Sequence, residues 1–356
     1  MIKDVVIKNF KSLSNFNVPN LAQINLFGGK NNAGKTTILE SLFLLGDRMN
    51  PQLMLRQYNW RGVGEIPLTP DALFAPIFKD FDLSKSIKIR ITNDFGQTES
   101  LEIEFNNKYN RVVKLQGNEG QINTGSNAIF TNALALSYRK NEGKAHKANI
   151  VLEPNGIGVE FIDMIAPEIN SVFLASKTHA SPHENAVRYG ELDIQGKTKP
   201  IIDYLKVIEP NLNELSSVAL PNGTVMLYGE IGIAKKVPIP YMGDGTSRLL
   251  SIILSIMASK NGIVFIDEIE NGIHYSALSK VWKIIATLAK EYNCQVFATT
   301  HNYECLDAAV NGIPEDMRDK FKYYRFEKNN DTKKTIANEF SFEVLQTAIE
   351  NGWEVR

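Results

Sequence analysis

The hydrophobic pattern of the N-terminal segment changes from short apolar stretches to a helical stripe. Apolar segments at residues 5–7, 16–18 and 24–27 are separated by Asn, Ser and Pro, and this pattern predicts three strands joined by turns. The third segment leads directly into glycines. After Lys35, Leu and Ile residues recur at spacings of three and four. The predicted order is therefore strand, glycine-rich loop and helix.

A second region with a strong pattern begins near Tyr241. A glycine-rich turn precedes a helical stripe at residues 249–256, and a short apolar run follows at residues 263–266. Another helical stripe at residues 278–288 leads to an apolar segment at residues 295–299. Short apolar runs of this kind are typical of parallel strands that are buried on both faces. Strands that alternate with helices predict an α/β fold with a parallel sheet.

The long stretch from residue 49 to residue 240 has mixed signals and no catalytic motif. Alternating segments at residues 87–91 and 101–105 predict half-buried strands. Ser181 is followed by Pro182 and, at the third helical position, by Glu184, and this combination predicts the start of a helix. The chain has no heptad pattern long enough for a coiled-coil arm.

Composition and charge describe an ordinary globular chain. The 356 residues are 43% hydrophobic and 22% charged, and 39 Lys and Arg nearly balance 40 Asp and Glu. This balance excludes a whole-molecule field that attracts nucleic acid or anionic membranes, so any DNA contact must be local. Basic runs at residues 139–147 and 318–334 are the candidates, although such runs are more typical of solvated faces.

Cysteine usage and the apolar runs bear on localisation. Cys294 and Cys305 are too few for a disulfide framework and lack the spacing of a zinc site. The first residues lack the apolar stretch of a signal peptide, and the longest apolar run, near residues 249–258, is too short to span a bilayer. We therefore expect a cytoplasmic protein without membrane contact.

Residues 29–36 satisfy the phosphate-loop pattern G-x-x-x-x-G-K-[ST] between a predicted strand and a predicted helix, which disfavours a chance glycine-rich turn. Backbone N–H groups of such a loop surround the phosphates, and the following helix presents its positive end to them. We expect Lys35 to bind the β- and γ-phosphates and the Thr36 hydroxyl to ligate Mg²⁺. The predicted nucleotide-binding residues of the loop are Gly29, Asn31, Asn32, Ala33, Gly34, Lys35, Thr36 and Thr37.

Two acidic residues follow the apolar run at residues 263–266. Asp267 and Glu268 are expected at the carboxyl end of the sheet, where ligands bind in open α/β folds. Because buried charges need a partner, a metal ion is their natural counterion. We expect Asp267 to hold Mg²⁺ through water and Glu268 to act as the general base on the attacking water. His301 ends the next predicted strand, at the same edge of the sheet.

Together these elements resemble the heads of ABC-type ATPases, where a histidine at the position of His301 is the switch residue that senses the γ-phosphate. Within that group the chain is similar to RecF, SMC heads and the OLD-type ATPases of bacterial antiphage defence. The resemblance implies an ABC-type P-loop NTPase: a mixed sheet with flanking helices, an antiparallel β lobe and a helical or mixed insertion. It implies a nucleotide-binding core at residues 1–48 and 241–356 and an insertion at residues 49–240. The similar segments are residues 5–13, 31–35, 242–248, 267–274 and 343–356.

In such heads, a glycine-rich signature segment of one subunit closes on ATP bound by another. Gly243, Asp244 and Gly245 occupy the matching place, although Asp244 replaces a glycine of the usual Leu-Ser-Gly-Gly-Gln. A helix-capping turn is the alternative interpretation. The resemblance implies ATP and Mg²⁺ as cofactors and a head-to-tail dimer or higher oligomer. Two family features remain open: His274 stands where transporters have Asp, and the Q-loop glutamine is either Gln57 or Gln195.

The resemblance also implies a function. We expect an ATPase with Glu268, His301 and Lys35 as catalytic residues that controls a partner effector in antiphage defence. No acidic nuclease domain follows His301, so we expect the effector, for example a TOPRIM-like nuclease, to be another chain. The alternative is a RecF-like DNA-repair ATPase that binds DNA without a nuclease partner. The divergent signature disfavours a transporter subunit, and the presence of Glu268 disfavours a regulator that binds ATP without hydrolysis.

Overall fold

The computed structural model describes residues 1–50, 52–110, 130–153, 156–176, 181–329 and 334–355. Its strands are β1 (Ile2–Phe10), β2 (Leu13–Val18), β3 (Ile24–Gly29), β4 (Ile87–Asn93), β5 (Thr98–Asn110), β6 (Phe130–Lys140), β7 (Ala145–Glu153), β8 (Gly156–Phe161), β9 (Ser171–Leu174), β10 (Glu214–Ala219), β11 (Val225–Glu230), β12 (Val237–Pro238), β13 (Ile263–Ile266), β14 (Gln295–Thr299), β15 (Phe321–Lys328) and β16 (Thr335–Ser341). The helices are α1 (Lys35–Gly46), α2 (Leu53–Asn59), α3 (Pro70–Leu73), α4 (Pro182–Ile194), α5 (Lys199–Leu205), α6 (Asp244–Ala258), α7 (Tyr275–Glu291), α8 (Tyr303–Gly312) and α9 (Phe342–Glu350).

The central sheet has six strands in the order β16-β15-β3-β14-β13-β9. All its pairings are parallel except that of β15 with β16. Every residue of β13 is buried: Val264 and Ile266 pack in one core cluster, and Phe265 packs in the other. Burial on both faces explains why β13 and β14 lack polar alternation. The predicted parallel strands and the mixed sheet are confirmed.

A second sheet forms the antiparallel β lobe. Its seven strands have the order β2-β1-β4-β5-β6-β7-β8. β4 alternates between buried and solvent-facing residues, with Ile87, Ile89 and Ile91 buried, as a sheet with one core face requires. The predicted strands at residues 87–91 and 101–105 are confirmed. A third sheet, of the order β10-β11-β12, packs beside α4.

Helix α1 is buried in the core that joins the central sheet to the β lobe. Ile38, Leu39 and Leu42 are buried in the same cluster as apolar residues of β1, β4 and β13. Leu44 and Leu45 are also buried, so the apolar surface of α1 extends around most of the helix. A helix buried on most sides belongs to a core, and its position is fixed by packing. The phosphate loop precedes α1 and therefore leads into a helix whose position is fixed.

Each of the two large sheets contains strands from both sides of the predicted boundary at residue 48. β1 and β2, from the N-terminal segment, belong to the β lobe, while β9, from the middle stretch, pairs in parallel with β13 in the central sheet. The register joins Ser171 to Ile263 and Leu174 to Ile266. The division into a core and an insertion stays a prediction, and β9 is a core strand that the sequence pattern missed.

Two helix starts can be compared with the sequence. The helix predicted to begin after Ser181 is confirmed as α4, although the Ser181 side chain makes no capping hydrogen bond. Helix α6 begins at Asp244, so the predicted turn before Leu249 is its first turn; Gly243, with φ of 102°, is the N-cap. Glycine and polar residues in that turn hid the helical period. Among the described residues, no helix combines the length and apolar character needed to cross a membrane.

Candidate nucleotide-binding and hydrolysis site

The loop between β3 and α1 lines a cavity of about 880 Å³ at the carboxyl ends of the central strands. Gly29 ends β3 with φ of +123°, and a side chain there would collide with the carbonyl oxygen of Phe326. Only glycine fits this combination of backbone angle and close approach. Gly29 and Ala33 do not line the cavity in the described structure. The predicted residues that line it are Asn31, Asn32, Gly34, Lys35, Thr36 and Thr37.

Lys35 is held inside its own loop. It is 9% exposed, and its Nζ donates hydrogen bonds to the carbonyl oxygens of Gly29 at 2.7 Å and Lys30 at 3.0 Å. Burial lowers the pKa of the Lys35 ammonium, and the carboxylates of Glu268 and Asp267 oppose that shift. The carbonyl oxygens therefore hold a cation at the start of α1, where the helix end also favours phosphate.

Asp267 connects three elements of the site. Its Oδ1 accepts hydrogen bonds from the hydroxyl of Thr36 at 2.8 Å and from that of Thr299 at 2.7 Å. Asp267 directly follows β13 and is 5% exposed. Its carboxylate is therefore fixed beside the phosphate loop, with the hydroxyl of Thr36 as its neighbour. The sequence pattern placed Thr299 at the end of a predicted strand but indicated no role for its hydroxyl.

Glu268 lies at the same edge in an unusual backbone conformation. Its φ is 48°, and its backbone N–H donates to the Thr299 hydroxyl at 2.8 Å. A left-handed backbone in a residue other than glycine is a strained arrangement that occurs often at functional sites. Burial raises the pKa of the Glu268 carboxyl, and the nearby Asp267 charge raises it further. Glu268 lines the nucleotide cavity and is partly exposed to solvent.

His301 does not line the cavity itself but lies next to its acidic wall. The imidazole Nδ1 is 3.7 Å from Glu268 Oε1 and 3.4 Å from Glu270 Oε1. About half of the His301 side chain is exposed. The structure therefore brings His301 to the carboxylate of Glu268, at the end of β14.

The signature segment lies elsewhere on the molecule. Gly243, Asp244 and Gly245 do not line the nucleotide cavity of their own chain in the described structure. They form the N-cap and first turn of α6, and a side chain on Gly245 would meet the carbonyl oxygen of Gly272 at 2.8 Å. The segment therefore packs against the loop that follows the acid pair. In that loop His274 caps α7, because its side chain accepts a hydrogen bond from the Ser276 N–H.

Arg248 links the signature helix to the acid pair, a role that sequence reasoning missed. It is 1% exposed, and its guanidinium donates to the carbonyl oxygens of Ala175 at 2.8 Å and Asp267 at 2.6 Å, with Glu268 O at 3.4 Å. Burial lowers its pKa to about 10, so it stays charged near neutral pH. The only signal in the sequence was its place in the similar segment 242–248.

The two candidate Q-loop glutamines have different surroundings. Gln57 is 7% exposed and lines a second cavity of about 460 Å³, which shares Lys11, Ser12 and Arg61 with the nucleotide cavity. Gln195 lies at the end of α4 and accepts a hydrogen bond from Lys197 on the surface. Gln57 is thus beside the nucleotide cavity without lining it, and the Q-loop assignment stays open.

Several cations of the basic runs have partners within the chain. Lys322 pairs with Glu339, and Arg325 pairs with Glu327. In the other run, Lys140 pairs with Glu168 at 2.8 Å. Lys333 lies outside the described residues. Pairing of this kind is typical of a solvated protein face.

A phosphate loop, an acid pair after a buried parallel strand and a histidine after the next strand meet at one edge of a mixed sheet. This fold and this site define the chain as a P-loop ATPase of the ABC type. A family model described as "AAA domain, putative AbiEii toxin, Type IV TA system" matches residues 24–307. The chain belongs to this family.

Relatives extend over very different shares of the chain. A Helicobacter pylori protein described as "ATP/GTP phosphatase" is 27% identical over 99% of this chain and 98% of its own length. An uncharacterised Methanocaldococcus jannaschii protein is 32% identical over 29% of this chain and 87% of its own length. Two solved SMC head domains, both bound to ScpA domains, match 98% of this chain, with TM-scores of 0.49 and 0.47. The matches are 14% and 13% identical and include 99% and 98% of the SMC head chains.

The raised pKa of Glu268 predicts the acid side of the pH profile. Glu268, as the expected general base, acts only when deprotonated. We therefore expect kcat/KM to fall as pH drops through the Glu268 pKa, above the ordinary glutamate value of about 4.3. The measurement is kcat/KM for ATP against pH, because this ratio reports groups of the free enzyme. Circular dichroism at each pH controls for unfolding. An acid limb at or below the ordinary value, in folded protein, contradicts the assignment.

Proposed function

We propose that the protein binds Mg·ATP, associates head to tail with a second copy around the nucleotide, and hydrolyses ATP to control a separate effector, such as a nuclease, in antiphage defence. The observation that carries the proposal is the separation of the signature turn from the nucleotide cavity. Each chain has a phosphate loop and an acid pair in one place and an exposed glycine-rich helix start in another. A second copy would bring the two together.

The first turn of α6 has the chemistry that a phosphate requires. The first backbone N–H groups of a helix have no partner within it, and the helix end carries a partial positive charge. Gly243 and Asp244 are exposed, as are Asn271 and Gly272 in the adjacent loop. These two exposed segments lie next to each other and form a surface beside the acid pair. This arrangement supports a contact between that surface and a second head.

The residues around Asp267 fit a magnesium ion. The Thr36 hydroxyl and the Asp267 carboxylate are oxygen donors already within 2.8 Å of each other, and Mg²⁺ prefers oxygen ligands and retains several waters. We expect Thr36 to ligate the ion directly and Asp267 to hold it through water. Bound Mg²⁺ would neutralise charge on the β- and γ-phosphates. The Thr299 hydroxyl orients the carboxylate for this role.

The side chains of the site have distinct tasks in the proposed reaction. Lys35 leaves the carbonyl oxygens of its loop and donates to the β- and γ-phosphates. Glu268, partly exposed and facing the cavity, orients the attacking water and accepts its proton. His301, beside Glu268, interacts with the γ-phosphate at the open side of the site. The description of the Helicobacter relative as a phosphatase of ATP and GTP supports hydrolysis.

The comparisons also bear on the effector. The family description names a toxin of a type IV toxin–antitoxin system, which supports a role in a bacterial conflict system. Direct DNA binding, the alternative, has less support because cations of both basic runs pair within the chain. If the protein binds DNA, its affinity for DNA should fall steeply as the salt concentration rises.

The proposed association can be tested by solution mass. Light scattering on size-exclusion chromatography measures Glu268→Gln with and without Mg·ATP, and Lys35→Ala is the control. The mass of Glu268→Gln should double with Mg·ATP, because the nucleotide is bound and not consumed, while Lys35→Ala should show no change. An unchanged mass of Glu268→Gln, with ATP binding verified, would contradict nucleotide-driven association and favour a constitutive complex.

A further inference from the structure

Glu270 is a buried carboxylate beside the proposed hydrolytic residues. It is 9% exposed and lies in the loop between β13 and α7. Its Oε1 accepts hydrogen bonds from the Thr300 hydroxyl at 2.8 Å and from the His301 backbone N–H at 3.2 Å. The His301 imidazole Nδ1 lies 3.4 Å from the same oxygen. One carboxylate oxygen thus contacts both the backbone and the side chain of the histidine segment.

The loop that carries Glu270 is itself well fixed. The Ile269 N–H donates to the carbonyl oxygen of Thr299 at 3.0 Å, and the Ile273 N–H donates to that of Glu270 at 3.0 Å. A buried carboxylate is costly to retain, so its presence calls for a partner that benefits from it. Thr300 alone could be served by a neutral acceptor. The His301 imidazole, with Nδ1 at 3.4 Å from the same oxygen, is such a partner when Nδ1 carries the proton.

Both carboxylates lie near the same imidazole nitrogen of His301. Nδ1 faces Glu270 at 3.4 Å and Glu268 at 3.7 Å, and carboxylate oxygens are acceptors. A carboxylate at one ring nitrogen fixes the tautomer and the ring orientation. A proton on Nδ1 would face these acceptors and would leave Nε2 for a ligand. Glu268 is 40% exposed and faces the nucleotide cavity, whereas Glu270 is buried and anchored, so Glu270 is the better anchor.

We propose that Glu270 is a positioning residue for ATP hydrolysis that fixes the orientation and the tautomer of His301. This inference rests on the proposed function for the role of His301 in turnover. The contact itself belongs to the nucleotide-free chain, so it can be tested without ATP.

The kinetic test is Glu270→Gln, which keeps the shape and one oxygen acceptor but removes the charge. We expect kcat to fall by about 10- to 100-fold, the scale for residues that orient a functional histidine, while the ATP dissociation constant stays within about twofold. Glu304→Gln removes an exposed charge from the first turn of α8 and should keep the wild-type kcat. Thr300→Val, which removes one anchor of Glu270, should lower kcat by less than Glu270→Gln. Melting temperatures verify that each variant is folded.

A double-mutant cycle separates this role from general packing. If Glu270 acts through His301, adding Glu270→Gln to His301→Ala should lower kcat no further, because coupled residues are not additive. Independent, additive losses would overturn the proposal, as would an unchanged kcat in folded Glu270→Gln.

The tautomer is read directly from ¹⁵N–¹H spectra of the histidine rings. The chain has five histidines, and His301→Ala identifies the His301 signals. We expect the Nδ1-protonated form in the wild type and a shift toward the other tautomer in Glu270→Gln. Identical His301 signals in both proteins would overturn the proposal. If the wild type hydrolyses no ATP, the proposed function fails, while the spectra still decide the inference about Glu270.

Discussion

Replacing Glu268 with Gln should lower the rate of ATP hydrolysis by about 10²- to 10⁴-fold, the contribution of a positioned general base. The substitution keeps the size of the side chain but removes its ability to accept a proton. Glu268 is the partly exposed member of the acid pair and faces the cavity. Asp267, by contrast, is held by the hydroxyls of Thr36 and Thr299. Because the substitution removes the proton acceptor and leaves the phosphate loop intact, the loss should appear in kcat.

The measurement is phosphate release at saturating Mg·ATP, combined with a binding measurement on the same preparation. ATP affinity should change little, because Lys35 and the phosphate loop are intact. Glu304→Gln again provides an exposed control. A variant that retains more than about a tenth of wild-type kcat would show that another group activates the water, since general bases contribute far more than that.

Replacing Lys35 with Ala should weaken nucleotide binding by about 100-fold or more. Hydrogen bonds between charged partners contribute about 1.5–3 kcal/mol each, and Lys35 is expected to bind two phosphates. In the nucleotide-free chain the carbonyl oxygens of Gly29 and Lys30 hold this ammonium close to the expected phosphate position. The loss of its contacts with the phosphates is therefore the effect that weakens binding.

Lys30 offers a matched control within the same loop. Its side chain is exposed, and it does not line the nucleotide cavity in the described structure. Titration with a fluorescent ATP analogue should therefore give nearly wild-type affinity for Lys30→Ala and little or no binding for Lys35→Ala. Equal losses in the two variants would mean that general positive charge of the loop, and not the position of Lys35, determines binding.

The parts of the fold that could be predicted from sequence are those whose signals are contiguous. The segment from β3 through α1 carries its strand, glycines and helix within one short stretch, so its order could be inferred locally. β13 could be recognised because burial on both faces leaves an uninterrupted apolar run before Asp267. The mixed sheet and the β lobe followed from the resemblance rather than from periodicity.

The remaining features depend on contacts between distant segments. β9 is a short strand whose place beside β13 comes from a pairing across about ninety residues, which no local pattern encodes. From sequence alone, Arg248 looks like any charged residue on the surface of a helix. It is nevertheless buried, because three carbonyl oxygens accept hydrogen bonds from its guanidinium. The start of α6 was misplaced because glycine and polar residues conceal a helical period. Local propensity does not report such tertiary effects.

The pairing of β3 has a consequence for how the chain acquires its structure during synthesis. β3 lies between β14 and β15, and the register joins Ile24 to Val296 on one side and to Phe321 on the other. The neighbours of the strand that leads into the phosphate loop are therefore made about 270 and about 300 residues after it. Domains fold as units during translation, and parallel pairings over such separations form slowly. The nascent chain should consequently depend on chaperones until β14 and β15 have emerged, and truncation before β15 should leave a chain that aggregates.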